Sequence, residues 1–182
     1  MASVSLRRVT PADAALIHGW RSEPTIAQYQ PLLPLPLADI REMLVQRSFV
    51  SVGPQAIGDF QWLIVASGTP VGWVSLKISP ADRPHGKGMI GYAIGEAHRS
   101  RGYGTSGVGA LLPIAFDPNQ LNLERLEAIA AITNTASRRV LETNGFKFEG
   151  IQRGLLVIGG ERVDHTMYGL LRTDLIEWNW EA

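Results

Sequence analysis

The chain has 182 residues, 45% of them hydrophobic and 19% charged, which suits one domain (1–182) with a sizeable core and excludes a disordered or fibrous protein. Lys and Arg number 17 and Asp and Glu 17, so the formal charge is zero and the basic excess of a dedicated nucleic-acid binder is missing. The absence of cysteine removes disulfides, thiolate nucleophiles and Cys-ligated zinc. The opening MASVSLRRVTPADAALIHGW has no continuous apolar signal core, and no stretch reaches the roughly 18 apolar residues of a membrane span, so a cytoplasmic protein is expected.

Residues 4–9 read as a short first strand. Thr10-Pro11-Ala12-Asp13 is a helix start, with Thr as N-cap, Pro in the first turn and an acid behind it. Leu16, Ile17 and Trp20 are expected on one helical face, and Pro31–Pro36 make an irregular link. Leu37, Ile40 and Leu44 predict a second helix to about residue 47. Residues 60–67 and 71–78 are strand-like, joined by a hairpin at Gly68-Thr69-Pro70, and a further strand runs near 88–95. A Gly-rich segment at 99–109 leads into a helix whose Val108, Leu111, Leu112, Ala115 and Phe116 keep helical spacing until Asp117-Pro118-Asn119. The apolar run 125–132 suggests a strand buried on both faces. A short helix at 135–144, closed by Gly145, precedes strands near 146–158 and 161–171 that turn at Gly159-Gly160. The class is α+β, with the strands at 88–95 and 125–132 parallel across a helical crossover.

Arg99-Ser100-Arg101-Gly102-Tyr103-Gly104 opens a helix, and its logic is anion binding. A helix N-terminus offers unpaired N–H groups and partial positive charge, and glycines let the backbone approach a phosphate. Three readings compete. One is a helix-capping loop with surface arginines. Another is a dinucleotide fold, since Gly102, Gly104 and Gly107 match G-x-G-x-x-G and Glu124 and Glu127 follow about 20 residues on. Against it, the first glycine does not directly follow its strand. No G-x-x-x-x-G-K-[ST] occurs, so a P-loop is excluded.

The third reading is a resemblance. Arg99-x-x-Gly102-x-Gly104 resembles the pyrophosphate-binding motif of the GNAT superfamily of N-acetyltransferases. Asn134-Thr135-Ala136-Ser137, then Val140-Leu141-Glu142 and Gly145-Phe146, is similar to that superfamily's second cofactor-binding element. Phe148-Glu149-Gly150 and the final hairpin with Asp164, His165 and Tyr168 resemble the RimJ/RimL branch, which acetylates protein N-terminal amines.

The resemblance implies the GNAT fold, a mixed and mostly antiparallel sheet whose one parallel pair splays around the cofactor, flanked by helices. It implies acetyl-CoA as cosubstrate and no metal. Its cofactor-binding residues map onto Ile94, Arg99, Arg101, Gly102, Tyr103, Gly104, Thr105, Asn134 and Ser137. The backbone N–H near Ile94 would serve the oxyanion, and a bulge near Gly91 and Gly95 would free the strand for the pantetheine. Leu141 stands where many GNAT enzymes carry a tyrosine proton donor, so Ser137 is the catalytic candidate for the leaving thiolate. Glu96 is put forward as base, with Glu127, Glu149, Asp164, His165 and a water chain as alternatives. The partner is an amine acceptor, expected to be a protein N-terminus, with a small-molecule amine or a non-catalytic CoA-binding role as the other readings. Acceptor choice falls to residues 20–36, with Trp20 and Tyr29, and to the final hairpin. A homodimer is compatible with the sequence, and neither nucleic acid nor membrane is expected as a partner.

Overall fold

Seven runs of β-branched and apolar residues pair into one sheet in the computed structural model, which describes residues 3–30 and 34–175. The strands are β1 (Ser5–Arg8), β2 (Gly58–Ala66), β3 (Thr69–Ile78), β4 (Lys87–Ile94), β5 (Arg125–Ala131), β6 (Lys147–Ile158) and β7 (Glu161–Leu171), in the order β1-β2-β3-β4-β5-β7-β6. The helices are α1 (Ala14–Arg21), α2 (Pro24–Ala27), α3 (Leu37–Phe49), α4 (Tyr103–Phe116) and α5 (Thr135–Thr143). All neighbouring strands are antiparallel except β4 and β5. Those two meet only from Lys87↔Arg125 to Met89↔Glu127. Past that point β4 stays with β3 as far as Ile94, and β5 stays with β7 as far as Ala131.

Strand periodicity sorts the sheet into two faces. Phe60, Trp62, Ile64, Val74, Leu76, Ile90, Ala128, Tyr168 and Leu170 pack in one core with Val108, Leu111, Leu112 and Ala115 of α4 and Leu141 of α5. Leu63, Trp73 and Ala93 face the other way and pack with Ile17 and Trp20 of α1, Ile26 of α2, and Ile40 and Leu44 of α3. Helix α4 lies close on the sheet because Gly107 has no side chain; a Cβ there would run into Ile64.

Several local expectations change. Leu16 is 36% exposed while Ile17 and Trp20 are buried, because the inward stripe of α1 runs through Ala14, Ile17 and Trp20, at threefold spacing. Helix α2 is an additional turn of helix started by Pro24, and α3 continues to Phe49. The β2–β3 turn is tighter than expected: Ser67 and Gly68, both with positive φ (47° and 80°), make it, and Thr69 already belongs to β3. Positive φ at both central residues matches the right-handed twist of a hairpin. Strand β5 is not buried on both faces. Leu126, Ala128 and Ala130 are buried, while Ile129 on the opposite face is half-buried and lines a cleft. No bulge interrupts β4, whose register with β3 runs unbroken from Gly72↔Ile94 to Lys77↔Met89; the strands part because β5 turns away. Gly95 instead makes room for the Trp20 indole, which a Cβ would strike. Of the expected link at Pro31–Pro36, residues 31–33 lie outside the described residues.

Candidate active site

The parting of β4 and β5 opens a cleft of about 980 Å³ that runs through the sheet and is lined from both faces. Backbone direction follows from one bond. Gly95 N–H donates to Val71 O (3.0 Å), so alternate residues of β4 turn towards β3, and Tyr92 and Ile94 direct their N–H and C=O into the gap. The carbonyls there are taken: Gln30 Nε2 donates to Tyr92 O (3.0 Å) and Arg99 Nε to Ile94 O (3.1 Å). The N–H groups of Tyr92 and Ile94 remain directed at the cleft.

On the α4 side the cleft meets a helix N-terminus. The first bond of α4 is Ser106 N–H to Gly102 O (3.0 Å), so the N–H groups of Tyr103, Gly104 and Thr105 have no partner within the helix. Gly102 is the N-cap with φ 78°, a left-handed conformation that glycine adopts without strain. Gly104 faces Val140 and Ile94 across the cleft, where a Cβ would sit 3.3 and 3.7 Å from their side chains. This is a concave, glycine-walled cradle of donors at a positive helix end, suited to an anion such as a pyrophosphate.

The predicted residues divide. Ile94, Arg99, Gly102, Tyr103, Gly104, Thr105, Asn134 and Ser137 all line the cleft. Arg99 turns its guanidinium back, with Nη2 4.0 Å from Glu23 Oε2, and so braces the end of β4. Arg101 is exposed and does not line the cleft. Glu96 is also exposed and outside the lining; its N–H accompanies the same carboxylate, donating to Glu23 Oε2 (2.9 Å). The other acidic candidates are engaged elsewhere. Glu127 pairs with Arg125 (3.0 Å) and Lys87 (3.5 Å), Glu149 with Arg125 (2.5 Å), and Asp164 accepts from Gly154 N–H (2.7 Å). The hydrogen bonds from Arg125 hold the Glu149 carboxyl below the usual range.

Asn134 caps α5, its Oδ1 accepting Ser137 N–H (3.0 Å). That leaves the Ser137 hydroxyl free for the cleft, where it meets Tyr92: Oη lies 2.8 Å from Ser137 Oγ and 2.9 Å from Ser137 O. Burial pushes the Tyr92 phenol well above its ordinary range, partly offset by the Ser137 contact. Leu141 is fully buried in the α4–α5 core, far from any donor role. Sequence reasoning missed Tyr92, although its alternation with Ile90 and Ile94 placed it on the gap-facing strand.

On the opposite face the lining includes Trp73, Ser75, Ile129 and His165 of the sheet, roofed by Arg21, Tyr29 and Arg47. His165 is 2% exposed, and its register with Ala131 puts it on the face opposite Tyr168. Nδ1 is 2.9 Å from Val163 O. A carbonyl only accepts, so Nδ1 is a protonated nitrogen, and in the neutral ring Nε2 is the acceptor.

A family model of the acetyltransferase (GNAT) domain matches residues 3–147, and the chain belongs to that family. It is 26% identical over 172 residues to the N-acetyltransferase p20 of Bacillus licheniformis, across 94% of each chain. A spermidine N-acetyltransferase from Vibrio cholerae, solved with CoA and spermine, matches with a TM-score of 0.82 at 18% identity, covering 95% of this chain and 98% of that one. RimL, a ribosomal L7/L12 α-N-protein acetyltransferase solved with coenzyme A, matches with a TM-score of 0.78 at 17% identity, covering 94% and 95%. At those identities the two structures speak to the fold, which is the GNAT fold. The chain is an acetyl-CoA-dependent N-acetyltransferase.

Proposed function

We propose that this enzyme acetylates the α-amine of a protein or peptide N-terminus, by direct attack on acetyl-CoA within a ternary complex. The observation that carries this reading is the cleft itself. It passes from the donor-rich cradle of α4, through the gap beside β4, to the opposite sheet face. Two reactants can therefore enter from two sides and meet at the gap, which supplies the proximity that direct transfer requires. The chain has no cysteine to carry an acetyl group.

The residues take separate parts. The N–H groups of Tyr103, Gly104 and Thr105 hold the pyrophosphate, with Asn134 fixing the facing helix. Acetyl-CoA supplies the thioester. The N–H of Ile94 donates to the carbonyl oxygen as it gains charge. His165 Nε2 accepts the proton lost by the attacking amine, directly or through one water, in place of Glu96. Ser137 donates a hydrogen bond to the departing thiolate. Tyr92 is a positioning residue. Its raised pKa keeps it a donor to Ser137 O (2.9 Å), which fixes the first turn of α5, and its Oη, 2.8 Å from Ser137 Oγ, holds the serine hydroxyl beside the gap.

Among the described residues lining the cleft there is no Asp or Glu. A polycation would find no counter-charge there, which favours a peptide amine. The test is an initial-rate study of CoA release with N-terminal peptides, spermidine and an aminoglycoside as acceptors. Intersecting lines and turnover of peptides are expected. Parallel lines, or turnover confined to the polycations, would refute the reading.

A further inference from the structure

Helix α5 borders the cleft with Ala136, Ser137, Arg139, Val140 and Thr143. At 3.6 residues per turn these five form an arc that starts at Ser137, passes Val140, Ala136 and Thr143, and ends at Arg139, roughly 160° from its start. The start of the arc lies at the gap, where Ser137 Oγ is 2.8 Å from Tyr92 Oη. Val140 faces the cradle, 3.3 Å from where a Cβ on Gly104 would stand. The rotation of the helix is fixed, because Leu141 is fully buried and Asn144 Nδ2 donates to Thr105 O (3.2 Å) of α4. Arg139 therefore stands past the cradle, on the side away from the gap. It is exposed at the rim of the cleft and, among the described residues, makes no hydrogen bond or ion pair. Its neighbours are differently placed. Arg138 lies outside the lining and donates to Tyr168 Oη (3.3 Å), and Glu142 accepts from the same hydroxyl (2.7 Å). The cradle mouth is open, since a Cβ on Gly102 would meet nothing within 4 Å.

We propose that Arg139 binds the 3′-phosphate of coenzyme A and so selects the complete cofactor over its dephospho form. The order along α5 is the order along the ligand. The thioester end belongs at the gap with Ser137 and the pyrophosphate at the cradle beside Val140. The phosphorylated ribose follows the pyrophosphate in the chain of the cofactor, and Arg139 follows Val140 around the helix. A phosphomonoester carries between one and two negative charges near neutral pH, and a guanidinium fork matches its oxygens. An exposed arginine needs no partner for its own stability, so the argument rests on its place and on its freedom to pair. The inference rests on reading the start of α4 as the pyrophosphate cradle.

The experiment titrates the protein calorimetrically with CoA and with dephospho-CoA, which lacks only the 3′-phosphate. CoA is expected to bind about three- to tenfold more tightly, a modest factor because the pair is open to water. The preference should shrink as salt is added. Arg139→Gln should bring the ratio of the two affinities towards one by weakening CoA alone; dephospho-CoA should bind as before, which a disturbed helix would not allow. Arg139→Lys keeps the charge without the fork and should retain part of the preference. Arg138→Gln removes the same charge one residue away, outside the lining, and should leave the ratio as it is in the unaltered protein. Equal affinity for the two nucleotides would overturn the proposal and leave the cradle intact. A ratio that survives Arg139→Gln, or one that falls as far in Arg138→Gln, would also overturn it, the latter by showing a general field in place of a contact. If neither nucleotide binds, the cradle reading falls with it.

Discussion

The pair formed by Tyr92 and Ser137 can be tested by a double-mutant cycle whose structural costs are known in advance. In Ser137→Ala the cap of α5 survives, because Asn134 Oδ1 accepts a backbone N–H that alanine retains. Only the contact between Ser137 Oγ and Tyr92 Oη is lost, about 0.5–1.5 kcal/mol of stability, while the bond from Tyr92 to Ser137 O remains. Tyr92→Phe keeps the ring packed against the core but removes both that contact and the bond to Ser137 O, so a cost of about 1–3 kcal/mol is expected. Turnover should respond differently. If Ser137 stabilises the thiolate, its hydrogen bond strengthens in the transition state, and kcat should fall by about ten- to a hundredfold, or 1.4–2.7 kcal/mol. Tyr92→Phe, acting only by orienting Ser137, should cost about three- to tenfold. The double variant should be no slower than Ser137→Ala, because the tyrosine has nothing left to orient.

The pH dependence follows from the direction of the Tyr92 shift. A phenol whose folded pKa is raised stays protonated past its ordinary value, and its bond is lost only as pH climbs through the raised one. The coupling measured by the cycle should therefore be the same between about pH 7 and 9. Stopped-flow or steady-state kcat, with urea unfolding of all four proteins, gives both readouts. Strictly additive losses in kcat would refute the positioning role. Normal kcat in Ser137→Ala would refute the thiolate contact itself.

Acetyl-CoA at about a hundred times its Kd should stabilise the fold by ~2.7 kcal/mol, a Tm rise of about 5–11 °C by differential scanning fluorimetry. A nicotinamide dinucleotide should give no rise, and the opposite pattern would contradict the site. Gly104→Glu places a carboxylate at the first turn of α4, with contacts at 3.3 Å to Val140 that a small shift relieves. It should weaken acetyl-CoA binding on the order of a hundredfold while the circular dichroism stays native; unchanged affinity would move the cradle elsewhere. His165→Asn retains a donor for Val163 O but has no imidazole lone pair. It should lower kcat/KM by about ten- to a hundredfold, and an unchanged kcat/KM in the folded variant would assign the base to another group.

The order of elements was legible because hydrophobic period and turn residues are local properties. Gly159-Gly160, Gly145 and the strand runs stand where the sequence puts them. The cradle was legible for the same reason, since the glycines and the helix they open are neighbours in the chain. Contacts across the sheet were not. Tyr92 and Ser137 are 45 residues apart and meet only because α5 packs where β5 has left β4. Gln61 carried a signal, a polar residue inside the apolar run FQWLIV, yet its partner Arg47 belongs to a helix whose rotation the weak periodicity of residues 37–49 does not fix. Glu96 drew attention through its place beside the Gly-rich segment, but the short 3-10 turn there carries its side chain outwards.

The gap itself explains why one sheet can serve two reactants. Each strand keeps its outer neighbour, β3 for β4 and β7 for β5, so the sheet loses only the ladder between the two. Freed backbone groups normally need partners. On β4 the carbonyls of Tyr92 and Ile94 have them, in the side chains of Gln30 and Arg99, whereas the adjoining N–H groups face the cleft. The exposed edge is therefore one of donors. With the donors at the start of α4 it forms a continuous electropositive track from the cradle to the middle of the sheet, complementary to a ligand that bears phosphate at one end and carbonyl oxygens along the rest. In the proposed mechanism the thioester carbonyl of acetyl-CoA would come last along that edge, beside Ile94 N–H, with Ser137 on one face of the sheet and His165 on the other. An amine arriving on the His165 face would then meet a polarised carbonyl, and the thiolate would leave towards Ser137.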